Sequence, residues 1–267
     1  MLTPVEIQAA ACALRQAELT RQQIGLLSLA HPAMTMDDAY AVQDAFVALR
    51  RVEGRQVVGW KIGLTSKAMQ QALSIDTPDS GVLMDDMVFQ NGATIPERRF
   101  IQPRIEAELA FVMKSPLRGG DVGVAEVLAA TDHILPALEI LDTRILRKDP
   151  ATGKARTIVD TIADNAANAG IVTGGRAFAP GEADPRWAGA IVMRNGEVEE
   201  TGLGAGVLND PALSVAWLVR RLATYGQGVD AGQIVLSGSF IRPVECRPGD
   251  TILADFGPLG TVGCHFA

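Results

Sequence analysis

Glu106 and Glu108 stand one residue apart in Arg104-Ile105-Glu106-Ala107-Glu108-Leu109-Ala110-Phe111, and Glu139 stands in an equally apolar run, Ile134-Leu135-Pro136-Ala137-Leu138-Glu139-Ile140-Leu141. In a strand, side chains at i and i+2 share a face, so Glu106 and Glu108 lie side by side while Ile105, Ala107, Leu109 and Phe111 fill the other face. An ionised carboxylate in apolar surroundings must find a cation or take up a proton. Three of them point to a divalent ion bound through hard oxygens, Mg²⁺ or Mn²⁺. Zinc lacks its usual ligands: the chain has His31, His133 and His265, the scattered cysteines Cys12, Cys246 and Cys264, and neither an HExxH nor a CxxC spacing. As a pair alone, Glu106 and Glu108 read better as the wet face of an amphipathic strand; Glu139 shifts the reading modestly toward a metal.

Other residues could carry chemistry beside them. Lys61 sits between Trp60 and Ile62 in a strand-like run ahead of Gly63-Leu64-Thr65-Ser66. Its stem can lie along a sheet edge with the ammonium in water, or the ammonium can face a polar site, where desolvation would lower its pKa toward a range useful for proton transfer. Asp79, in Thr77-Pro78-Asp79-Ser80-Gly81, reads first as a turn residue and second as a proton-transfer carboxylate. Gly238-Ser239 follows a strand, and Ser239 is either a turn residue or a presenter of N–H and hydroxyl to a carboxylate. The small polar groups of Asp160–Gly170 read as helix caps and local side-chain to backbone bonds. Gly202-Leu203-Gly204-Ala205-Gly206 lacks the spacing and the Lys-Ser/Thr of a phosphate loop. His133 and His265 have no triad pattern and read as structural.

The elements that must position these groups are of two kinds. Thr3-Pro4-Val5-Glu6 has a capping-box pattern opening a helix, His31-Pro32 breaks it, and Thr35 caps a second helix whose Ala39, Val42, Phe46, Val47 and Leu49 form an apolar stripe ending before Gly54. Beyond Gly54 short β-branched runs alternate with turn signals at Asn91-Gly92, Asn195-Gly196 and Arg247-Pro248-Gly249-Asp250. The clearest hairpin spans Ala190–Glu199, and helices are expected near Val124–Ala130 and Pro211–Tyr225. The pattern predicts an α+β fold: a helical element over 1–54 packed on one mixed, mainly β domain over 55–267.

With 267 residues, 48% of them hydrophobic, the chain can bury a large core. A net charge of −7 disfavours nucleic acid and anionic membrane as partners. No stretch approaches a membrane span and the N-terminus lacks a secretory pattern, so the cytoplasm is the expected compartment, with the cysteines reduced and buried.

Taken together, Gly59-Trp60-Lys61-Ile62-Gly63-Leu64-Thr65, Pro78-Asp79-Ser80-Gly81, Gln102–Phe111, Leu135-Pro136-Ala137-Leu138-Glu139 and Asp160–Ala166 resemble, in order and over nearly the whole chain, the 2-oxopent-4-enoate hydratase and 4-oxalocrotonate decarboxylase family of the fumarylacetoacetase superfamily. The resemblance implies a roll-shaped β core, commonly in homo-oligomers. It also implies an Mg²⁺-dependent hydratase acting on a 2-hydroxydienoate from ring meta-cleavage, with Glu106, Glu108 and Glu139 as metal ligands and Lys61 and Asp79 as proton carriers. Within the family, residues 64–70, 164–170 and 238–244 most resemble members handling 2-oxo-hept-4-ene-1,7-dioate, a product of homoprotocatechuate breakdown. A 2-oxo dicarboxylic acid needs a second anion site, for which Lys67 and Arg242 are the candidates by charge, with Ser239 beside them. Two alternatives share the same residues: 4-oxalocrotonate decarboxylation, and a non-catalytic subunit partnering a paralogous enzyme.

Overall fold

Both N-terminal helices begin where the sequence places their caps. In the computed structural model, which describes residues 1–67, 70–71, 75 and 77–267, the Thr3 hydroxyl accepts the Glu6 N–H while the Glu6 carboxylate accepts the Thr3 N–H, opening the helix Pro4–Thr20. Thr35 and Asp38 repeat the arrangement at Met36–Val52. Each such cap stabilises its helix by about 1 kcal/mol. Ala39, Val42, Phe46 and Val47 are buried as the stripe requires, while Leu49 lies at its margin. These residues share one apolar cluster with Leu14, Val82, Met84, Met87, Ile145 and Ile162. The helical element over 1–54 is therefore continuous in packing with the β domain. Ala68 and Met69, in the 64–70 segment, lie outside the described residues.

The strands are β1 (Val57–Gly63), β2 (Asp79–Met84), β3 (Val88–Gln90), β4 (Ala93–Ile95), β5 (Arg104–Met113), β6 (Thr131–Leu141), β7 (Asn168–Thr173), β8 (Gly189–Arg194), β9 (Glu197–Leu203), β10 (Ile234–Leu236), β11 (Val244–Glu245), β12 (Thr251–Asp255) and β13 (Thr261–Phe266). They form two mixed sheets. The larger runs β2-β1-β10-β5-β6-β7-β3, with β11 also on β5, and curls into a half-barrel; the smaller runs β4-β13-β12-β8-β9. Asn195 and Gly196 both take positive φ (56° and 87°), as a type I′ turn between β8 and β9 requires. Asn91-Gly92 does something else: it carries the chain from β3 in the larger sheet to β4 in the smaller one. Ile105, Ala107, Leu109 and Phe111 of β5 are fully buried in the main core with Val192, Ala254 and Val262 of the smaller sheet and with Val215, Leu218 and Val219 of the helix Pro211–Ala223.

A buried ionic network ties the helices to the sheet. Arg144, wholly buried after β6, donates through Nε to Asp164 and through Nη2 to the carbonyls of Asp164 (2.8 Å) and Asn168 (3.1 Å). Its guanidinium lies 5.6 Å from the Phe46 ring centroid and 4.0 Å from Glu18, which also takes Arg50. Asp164 is thus an ion-pair partner, beyond the local capping expected of Asp160–Gly170; Asp160 does cap Thr157 and also holds Ser28. Cys246 and Cys264 are buried free thiols as expected, but Cys12 is exposed on the first helix.

Removing one member of a buried ion pair strands the other charge. Arg144→Met should lower stability by about 3–5 kcal/mol in urea unfolding; a loss under about 1 kcal/mol would show that the network does not hold the two parts together.

Candidate functional site

Strand register brings the three glutamates to one face. Glu106 of β5 lies directly opposite Glu139 of β6, and Glu108 follows two residues on. One carboxylate oxygen from each falls within 4.8 Å of the others. Glu108 and Glu139 are wholly buried and Glu106 partly so, which overrules the solvated-face reading of the pair. Around them the same face carries a small apolar cluster of Leu83, Ala110, Ala137, Ile171 and Leu236.

Lys61 enters from β1, two strands away across the short β10. It is only 3% exposed, so the edge-lysine reading fails, and its Nζ lies 3.5 Å from Glu139 Oε1. Asp79 opens β2 opposite Gly63, likewise buried. Pro78-Asp79 is therefore a strand start as well as the end of a turn. Gly63 makes this meeting possible: a Cβ there would stand 2.3 Å from Asp79 Oδ1 and 3.0 Å from Lys61 Nζ. The strand under Asp79 is clamped by the second N-terminal helix, where Gln43 Nε2 donates to the carbonyls of Ser80 and Ile162 (2.9 Å each) and Tyr40 Oη accepts the Ser80 N–H at 3.3 Å.

Glu108 has a fixed partner in the backbone. Gly238 N–H donates to Glu108 Oε2 at 2.8 Å. Gly238 takes φ 116°, and a Cβ would collide with the Thr65 hydroxyl, so only glycine can aim this N–H. The carboxylate that meets Gly238-Ser239 is thus the protein's own. Ser239 Oγ bonds locally, donating to the Ile241 carbonyl and accepting the Ile241 N–H. Arg242 projects 79% exposed and pairs with Glu200 at 2.6 Å, and Lys67 is exposed. The structure therefore groups Lys61, Asp79, Glu106, Glu108 and Glu139, and sets Lys67, Ser239 and Arg242 outside that group.

The electrostatics are those of a site short of positive charge. Burial, reinforced by Glu139, pushes Glu106 up to about 8. Burial and then the charges of Glu139 and Glu106 drive Glu108 well above the carboxylate range, and burial raises Glu139 against the pull of Lys61. Asp79 is raised by burial, with Lys61 and then Arg156 opposing. Burial alone would lower Lys61 as the sequence reading expects. Glu139, Asp79, Glu106 and Glu108 outweigh it and raise the ammonium above its ordinary value. Glu108 Oε1, both Glu139 oxygens and Asp79 Oδ1 are buried without a hydrogen-bond partner. Such unpaired oxygens, aimed at one point, fit a hard divalent cation. Sequence reasoning missed Gly63 and Gln43, whose contributions are steric or to the main chain, missed that the carboxylate met by the Gly238 N–H is Glu108, and missed Arg156.

Residues 60–267 match the family described as Fumarylacetoacetate (FAA) hydrolase C-terminal, and the chain belongs to it. It is 53% identical to the 2-oxo-hept-4-ene-1,7-dioate hydratase of Escherichia coli over 253 residues, 95% of each chain. It is 39% identical to a 2-keto-4-pentenoate hydratase of Paraburkholderia xenovorans, over 99% of this chain and 96% of that one. Its fold superposes on the 4-oxalocrotonate decarboxylase of Pseudomonas putida G7, complexed with magnesium and adipate, with TM-score 0.94 and 35% identity, covering 100% of this chain and 99% of that one.

Two measurements check the carboxylate cage. Glu106→Gln should fold normally and lose Mg²⁺ affinity by at least the roughly 10–100-fold typical of disturbing an outer-shell partner; an unaltered Mg²⁺ titration would remove Glu106 from the ligand set. Because the Glu106 carboxyl is raised to about 8, the metal-free protein holds a proton there at neutral pH that an incoming cation must displace. Calorimetry at neutral pH in buffers of different ionisation enthalpy should show proton release on Mg²⁺ binding. Affinity should rise with pH through about 8 as Glu106 loses its proton; pH-independent affinity would contradict this charge state.

Proposed function

We propose that the chain is a magnesium-dependent hydratase that adds water to 2-oxo-hept-4-ene-1,7-dioate, giving 4-hydroxy-2-oxoheptane-1,7-dioate, in the breakdown of homoprotocatechuate. The observation that carries this reading is the trio Glu106, Glu108 and Glu139 with Lys61 and Asp79 beside it, in a chain 53% identical to a 2-oxo-hept-4-ene-1,7-dioate hydratase over 95% of its length. When bound, Mg²⁺, or Mn²⁺ in its place, supplies a Lewis acid for the carboxylate and keto oxygens of a 2-oxo acid. The three glutamates hold it.

The remaining roles belong to the chain. Lys61, 3.5 Å from Glu139 and raised above its ordinary value by the carboxylates around it, presents a positive charge where negative charge develops. Asp79, raised by burial and with Oδ1 free of hydrogen bonds, is the group able to take and return the proton that must move at C3 or C5 of the dienol. The apolar ring of Leu83, Ala110, Ala137, Ile171 and Leu236 keeps bulk water from the reacting atoms, which strengthens both effects. A cytoplasmic location is part of this proposal; no helix among the described residues is long and apolar enough to cross a membrane. Exposed Trp187, Ile191, Val198 and Leu203 along the β8–β9 side support a homo-oligomer.

Decarboxylation of 4-oxalocrotonate is the second reading, favoured by the fold match to the decarboxylase at TM-score 0.94. Supplying each acid to the Mg²⁺-loaded protein should give loss of the dienol absorbance without CO₂ from the heptenedioate; stoichiometric CO₂ from 4-oxalocrotonate would overturn the hydratase. Activity in the isolated protein would also dismiss a silent partner subunit. Asp79→Asn should keep Mg²⁺ binding and lower kcat by about 10²–10⁴-fold; full turnover in that variant would exclude Asp79 as the proton carrier.

A further inference from the structure

Arg147 and Arg156 face each other across the base of a small hairpin-like loop. Arg156 N–H donates to the Arg147 carbonyl at 3.0 Å, Lys148 and Ala155 pair antiparallel beyond them, and Asp149 N–H closes on the Lys154 carbonyl at 2.8 Å. Residues opposed in this way present neighbouring side chains, and like charges so placed repel. Each guanidinium is partly buried and held by neutral groups: Arg147 Nη2 donates to the Gln102 carbonyl at 3.0 Å, and Arg156 Nη1 to Thr143 Oγ1 at 2.8 Å. Neither forms an ion pair among the described residues. A third cation, Arg104, precedes Glu106 by two residues on β5, so its side chain leaves the strand on the carboxylate face. Its partner Glu245 is on the rim at 59% exposure. The buried carboxylates whose charges act on this pair from outside the site are engaged elsewhere: Asp164 by Arg144, Asp160 by Ser28 and Thr157, and Asp142 by the N–H groups of Ile101 and Gln102.

The charges of this cluster reach the site. The positive charge of Arg156 acts on Asp79 and that of Arg104 on Glu106. Burial, then the charges of Arg104 and Arg156, hold Arg147 down to about 10. Three guanidiniums with a single ion pair among them in the described residues, that of Arg104 with Glu245, form a receptor for an anion. Arg242, by contrast, already has Glu200.

Resting on the functional reading above, we propose that Arg156 and Arg147, backed by Arg104, bind the far carboxylate of the 2-oxo dicarboxylic acid and so select a diacid over a monoacid. The geometry needs only an extended chain running from the glutamate cage past Asp79 toward the hairpin base. Arg156, whose charge acts directly on Asp79, makes the larger contribution.

The test is binding of two unreactive probes, 2-oxoheptanedioate and 2-oxohexanoate, to the Mg²⁺-loaded protein by calorimetry. The wild type should bind the diacid at least about tenfold more tightly, and Arg156→Ala should weaken diacid binding by about 10–100-fold while leaving the monoacid unchanged. Arg147→Ala should act in the same direction, and Arg156→Lys should recover part of the preference by keeping the charge without the planar fork. Equal binding of the two acids by the wild type, or an Arg156→Ala effect equal on both, would overturn the inference. So would loss of the preference in Arg242→Ala but not in Arg156→Ala. Hydration is read separately. A wild type that prefers the diacid and loses that preference in Arg156→Ala, yet hydrates nothing, would sustain this inference and remove the hydratase reading instead.

Discussion

Three carboxylates share a pocket with a single ammonium, and that imbalance organises the molecule around it. Coulomb repulsion among buried like charges is large, and the desolvation penalty adds to it. Lys61 offsets part of this, which is why it must be delivered to Glu139 across a parallel β1–β10 pair rather than left at an edge. Glu108 Oε1 and both Glu139 oxygens find no hydrogen-bond donor. A fold that keeps such an arrangement is built to hold a cation, and its local rigidity serves that end: the register of β5 on β6, the absent side chains at Gly63 and Gly238, and the clamp of Gln43 on Ser80 all fix positions of charged atoms.

The N-terminal helices belong to this design. Their apolar stripe completes a core with strands and helices of the β domain, and their charged residues reach inward. Glu18 gathers Arg15, Arg50 and Arg144, and Arg144 in turn secures Asp164. The family match begins at residue 60, yet Tyr40 and Gln43 bond the strand that carries Asp79. The helical segment is thus a support for the chemistry, held by polar contacts of high specificity as well as by apolar area.

Much of this was legible in the residues. Capping boxes at Thr3 and Thr35, the Asn195-Gly196 turn and the alternation of β5 are local signals, and the structure agrees with each because local preference and tertiary packing coincide there. The carboxylate grouping was legible only as a trio, since an i, i+2 glutamate pair alone fits a half-solvated strand and it is Glu139, in an equally apolar run, that points to a cation. What stayed hidden was set by distant partners. The pairing of Arg144 with Asp164, the opposition of Arg147 and Arg156, and the turn of Asn91-Gly92 from one sheet into the other depend on how the chain returns on itself, and arginines in loops carry no periodic signature. The direction of the Lys61 shift was likewise invisible, because burial and four nearby carboxylates oppose each other and only their relative positions decide the outcome.

The Gly238 N–H gives the cage an asymmetry with chemical meaning. A main-chain amide does not ionise at any pH where the chain is folded, so Glu108 keeps its bearing whatever the protonation of its neighbours. With Oε2 engaged in this way, Glu108 offers one oxygen rather than two. One carboxylate so fixed leaves the pocket's free oxygens chiefly on Glu139, and it is there that an arriving hard cation has the most protein contacts still to gain.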